Sequence, residues 1–111
     1  MIKVIKMKDS LDAGTNPTEG MNLSEAFVLD KDITPLTVGF ASFEAGVRQP
    51  PQGLVSREQI EISLILSGET ELYTDSGTIT LEAGDLVMVP PGVANAAKAL
   101  TDLKVYYMLA G

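Results

Sequence analysis

An all-β fold, a small antiparallel sandwich or barrel, is what this sequence predicts, on three observations. Apolar and polar residues alternate with a period of two, the alternating stretches are short, and clusters of Gly, Pro, Asp and Ser separate them at close spacing. In chain order the expected strands are IKVIKM (2–7), EAFVLD (25–30), LTVGFASF (36–43) and QIEISLIL (59–66), then ETELYTD (69–75), GTITLE (77–82) and GDLVMVP (84–90), and finally VANAAKAL (93–100) and DLKVYYML (102–109). TDSGT (74–78) reads as a tight hairpin turn and SGE (67–69) as another. DAGTNPTEGMN (12–22) reads as a longer polar loop, either a mobile flap or a linker to an N-terminal strand lent to a partner subunit. QPPQG (49–53) reads as a rigid loop, because proline fixes φ and glycine relieves the turn.

The 111 residues form one domain with room for one core, residues 1–35 being an N-terminal extension and 36–109 the barrel. Eight Lys and Arg stand against 15 Asp and Glu, for a net charge of −7, which opposes binding to nucleic-acid phosphates. No apolar run approaches the roughly 20 residues needed to cross a bilayer. The lysine-interrupted start MIKVIKMKDS does not read as a secretory signal, so a cytoplasmic location is the expectation. Cysteine and histidine are both absent, which removes thiolate nucleophiles, Cys-rich metal sites, imidazole ligands and any His general base.

Alternate residues of a strand point to opposite sides of its sheet. In 59–66 one face carries Gln59, Glu61, Ser63 and Ile65, and the other Ile60, Ile62, Leu64 and Leu66. The second face is wholly aliphatic and needs cover from another sheet or another subunit. In 93–99, Val93, Asn95, Ala97 and Ala99 share a face whose last three residues are small for a barrel interior. Small inward residues leave a cavity, and one bounded by Gln59, Glu61, Ser63 and Asn95 would have the form of a small-molecule pocket.

These residues also carry a resemblance. GDLVMVPPGVAN (84–95) resembles the second motif of the cupins, G-x5-P-x-G-x2-H-x3-N, with Gly84, Pro90 and Gly92 at the right spacing. The motif's His falls on Asn95 and its Asn on Ala99. The first cupin motif, G-x5-H-x-H-x3–4-E-x6-G, is matched by Gly46, Glu61 and Gly68. Its histidines would fall on Val55 and Arg57 or on Leu54 and Ser56, counting back from Glu61, and on Gln52 and Leu54 counting forward from Gly46. The resemblance spans residues 36–109 and implies a double-stranded β-helix, or jelly-roll, barrel with a pocket in its mouth, commonly a homodimer. Of the four metal ligands it implies, only Glu61 is present, so no metal or other cofactor is expected.

Metal-free chemistry would fall to a few side chains. Glu61, inward and beside aliphatic residues, is the candidate general acid or base, or else a structural partner of a nearby arginine. Arg48 and Arg57 are the only arginines, and their planar forks suit an anionic ligand. Asn95 can orient a polar ligand or bond a strand backbone, and Gln59 and Ser63 are lesser pocket candidates. Tyr106 and Tyr107 point to opposite faces, and the sequence leaves open which looks inward. Three functions fit: a proton-transferring isomerase, epimerase, lyase or cyclase acting on a small polar or anionic compound; a non-catalytic binding or sensory module; or a structural dimer with a vestigial pocket.

Overall fold

The computed structural model describes residues 3–29 and 35–111. Short period-two stretches ending at glycines and prolines give β1 (Met21–Leu29), β2 (Leu36–Phe43), β3 (Arg48–Gln49), β4 (Ile60–Ser67), β5 (Glu69–Thr74), β6 (Gly77–Glu82), β7 (Leu86–Val89), β8 (Asn95–Ala99) and β9 (Leu103–Ala110). They pair antiparallel in two sheets, β1-β2-β9-β4-β7 and β3-β8-β5-β6, the all-β sandwich that the alternation predicts. The segment read as an N-terminal extension contributes β1, an edge strand of the larger sheet.

Three local expectations are corrected. The described part of 2–7 forms no strand: residues 3–6 are irregular, and α1 (Met7–Asp12) follows. Asp9 in its first turn complements the helix dipole, and Leu11, 6% exposed, anchors it. Ser10 donates to the Ser24 hydroxyl at 2.9 Å, and the Asn22 amide donates to the Leu11 carbonyl, so the helix lies against β1. The loop at 13–20 is tied to the barrel: Thr15 bridges Leu23, Asn16 donates to the Met21 carbonyl at 2.7 Å, and Thr18 donates to Gln49. SGE is a turn between the two sheets and joins no hairpin. Gly68 holds φ of 89° there, and a Cβ would run into the Asp102 carbonyl. TDSGT does close the β5–β6 hairpin, with Thr74 opposite Gly77.

The core gathers at one end of the sandwich. Ala41, Ile65, Ala99, Leu103, Val105 and Tyr107 form its buried cluster, with Leu23, Phe43, Leu81 and Leu109 packed against them. The other end stays open between the sheets, because β8 brings only Asn95 and Ala97 to that level.

Candidate functional site

The open end holds a cavity of about 370 Å³, within the range of small-molecule pockets. Strand register orders its walls in rows. Leu109, Glu61 and Val89 stand side by side on β9, β4 and β7. The next row inward is Glu25, Gly39, Tyr107, Ser63 and Val87 across β1, β2, β9, β4 and β7. Below it lie Leu23, Ala41, Val105 and Ile65. The smaller sheet faces these rows with Thr70, Leu72, Leu81 and Ala97. The carboxylates of Glu25 and Glu61 therefore stand on the larger sheet, opposite a wall that mixes Leu72, Leu81 and Ala97 with the uncharged polar groups of Gln49, Thr70 and Asn95.

Arg57 comes from the loop between β3 and β4, where its carbonyl accepts from Gly92 N–H at 2.8 Å. Its Nε stands 3.8 Å from Glu61 Oε2, with the two side chains 49% and 27% exposed. Among the described residues that single long contact is the guanidinium's one side-chain partner, and Arg57 lines the cavity. Ser63 lines the pocket beside Tyr107. Asn95 lines it too, but its amide donates to Val93 O at 3.0 Å and Val55 O at 3.4 Å, so its NH₂ group serves the backbone.

Two of the residues chosen from sequence lie elsewhere. Arg48 is on β3, where Gln49, and not Arg48, takes the inward position. It donates to the Pro50 carbonyl at 2.8 Å and lies 5.4 Å from the Tyr73 ring centre. Gln59 donates to the Gly111 carbonyl at 3.3 Å and does not line the cavity. The site instead includes Glu25, Gln49 and Tyr107. Tyr107, 7% exposed, is the inward tyrosine, whereas Tyr106 packs edge-on against Phe40 on the outer face. Burial and the nearby Glu25 carboxylate push the Tyr107 phenol above its ordinary value of 10.0, against a smaller opposing pull from Arg57.

The metal site that the cupin motifs would supply does not fit these residues. Among the described residues no three acidic side chains converge, and Arg57 brings positive charge to Glu61, the one matching ligand.

Comparison with known proteins gives the chain a family context. The profile of the EutQ-like cupin domain matches residues 43–107. No curated protein matches. Among solved structures, an RmlC-like cupin from Shewanella frigidimarina superposes with TM-score 0.70 at 19% identity, covering 89% of this chain and 85% of its own. EutQ from Clostridium difficile gives 0.66 at 15% identity, covering 80% and 61%. KdgF from Halomonas gives 0.66 at 16% identity, covering 86% and 84%. At these identities the structural likeness establishes the fold.

Proposed function

Since the chain belongs to the EutQ-like cupin domain family, we propose that it uses its barrel pocket, without a metal ion, to bind a small polar or anionic molecule and move a proton within it. Isomerase, epimerase, lyase and cyclase reactions all contain such a step. The observation that carries the proposal is the placement of Arg57 and Glu61 together on one wall of an otherwise largely apolar cavity. The guanidinium supplies an anchor for a carboxylate or phosphate, and the carboxylate supplies a base within reach of the same molecule.

The same 3.8 Å pairing favours a second reading, a binding module in which Arg57 and Glu61 only hold the ligand. A thermal-shift screen of small anionic and polar compounds, followed by deuterium exchange of the hits in D2O, separates the two. Glu61→Gln keeps shape and hydrogen bonding. In an enzyme it leaves affinity within about threefold and lowers C–H exchange by about 10²–10⁴-fold. Exchange that persists unchanged in this variant rejects the proton-transfer reading.

Assembly as a homodimer belongs to the same proposal. On the outer face of the larger sheet two apolar rows run across the strands, Phe40–Tyr106–Leu64–Leu86 and Val38–Met108–Ile62–Met88. Leu86 is 69% and Met88 59% exposed in the single chain, and Ile60 and Leu66 are exposed beside them. A continuous apolar face of this kind fits a second copy of itself.

A further inference from the structure

Tyr107 is buried to 93%, the complement of its 7% exposure, yet it lines the cavity. A tyrosine ring can be buried while its hydroxyl stays within reach of a ligand. Among the described residues nothing hydrogen-bonds to this hydroxyl: the groups that act on it are burial and the charges of Glu25 and Arg57. Its neighbour in the row explains where the hydroxyl lies. Gly39 sits between Glu25 and Tyr107, and a Cβ there would stand 2.7 Å from the phenol oxygen. The missing side chain thus opens the space that the hydroxyl occupies. Packing accounts for the ring, which belongs to the core cluster. The hydroxyl, which is not among the buried orphan atoms of the described residues, is open to the cavity and available to a ligand.

Glu61 lies opposite Leu109 and Ser63 opposite Tyr107, so Glu61 and Tyr107 are diagonal neighbours on one face. Such positions have Cβ atoms about 7–8 Å apart or somewhat less, within reach of long side chains. Both groups line the same cavity from the larger sheet, Tyr107 leaning toward Gly39 on β2 and Glu61 standing on β4, so that a ligand between them meets both. Across the cavity, Leu72, Leu81 and Ala97 offer a surface for hydrocarbon.

We propose that Tyr107 is a catalytic residue that donates a hydrogen bond to a carbonyl oxygen of the substrate, and that the substrate is a small 2-oxo acid whose carboxylate Arg57 holds. This inference rests on the reading of Glu61 as the base. Glu61 takes a proton from the carbon next to the carbonyl. The C–H electron pair becomes a carbon–carbon π bond, and the carbonyl π pair moves to oxygen as an enolate. Tyr107 steadies that oxygen and keeps its own proton. Return of the proton from Glu61 to carbon completes the cycle with no other reactant.

The probes are 2-oxobutyrate, 2-oxoglutarate and phenylpyruvate, with exchange of the C3 protons in D2O followed by proton NMR and melting curves run on every variant. Wild type exchanges at least one probe. Tyr107→Phe retains affinity within about threefold and loses about 10²–10³-fold in exchange rate, the usual effect of removing one donor to a developing oxyanion. Exchange that Glu61→Gln abolishes but Tyr107→Phe leaves intact overturns the role of Tyr107 and spares that of Glu61. Exchange that survives Glu61→Gln overturns the base assignment itself. Absence of exchange with all three probes overturns the substrate class, while the Glu61 reading still stands on the wider screen. An independent readout needs no substitution at 107: with 3-fluorotyrosine at the chain's three tyrosines, one fluorine resonance shifts saturably on adding the probe, and three unmoved resonances contradict the contact.

Discussion

On β4 the side chains of Glu61, Ser63 and Ile65 look into a cavity, whereas Ile62 and Leu64 look outward onto a face that continues over Tyr106, Met108, Leu86 and Met88. The usual arrangement of a one-layer surface, polar outside and apolar inside, is reversed toward the mouth; at the closed end the inner side is apolar again, with Ile65 3% exposed, while the outer side stays apolar at Leu64 and Leu66. Such a reversal serves two purposes on one strand. Under the proposed function the inner face offers polar groups to a ligand, and the outer face offers apolar area to a second copy of the chain.

The contrast is broken most severely from outside. Replacing Leu86 and Met88 together with lysine places two charges on the exposed apolar rows without touching the core. The expected result is a shift to monomer at micromolar concentration in equilibrium sedimentation, with ligand affinity retained. A wild-type protein that is already monomeric under those conditions removes the dimer from the account.

The two arginines sharpen it next. Arg57→Ala removes a charged donor from the cavity and should weaken binding of an anionic ligand by about 10–100-fold in a calorimetric titration. Arg48→Ala should leave that titration unchanged, because its guanidinium serves the Pro50 carbonyl and the Tyr73 ring. Its effect is expected as a fall in melting temperature of no more than about 3 °C. Equal effects of the two substitutions on binding would contradict the placement of Arg48.

The smallest effect is a pH dependence. Below the ordinary phenol value of 10.0, Tyr107 is protonated both folded and unfolded, and its contribution is fully present. Above it the unfolded chain ionises first, so stability falls as pH rises toward the higher folded value. Glu25, Arg57 and Glu61 are the charged groups lining the same cavity. Denaturant titrations between about pH 8 and 11 should show an extra loss in wild type that Tyr107→Phe lacks.

Most of the strand order was legible because alternation and glycine punctuation coincide: β2 and β6 fall on the residues that the pattern marks. The N-terminal segment misled because IKVIKM alternates too, although Leu11 finds its burial as part of a helix against β1. The site was half legible. Glu61 and Arg57 could be placed by motif spacing, since the glycine frame fixes their distance from the turn at Gly68. Arg48 could not, because a two-residue strand decides whether it or Gln49 turns inward. Glu25 was hidden by the break in β1–β2 register between Glu25 and Phe27, which upsets the parity that a period of two relies on. Tyr107 was hidden because β9 is apolar on both faces. Only pairing with Gly39 and Ser63 selects it over Tyr106.

The most direct test of the central claim, that the inner face of the larger sheet is a working ligand site, is to fill the cavity from the opposite wall. Ala97→Leu adds bulk where β8 faces the Glu61–Tyr107 rows, into space that is empty enough to accept it. Thermal shift against the compound that most stabilises wild type should show a folded protein, melting at or above the wild-type temperature, that no longer responds to the compound. An undiminished ligand response in the filled variant would place binding elsewhere and contradict the account.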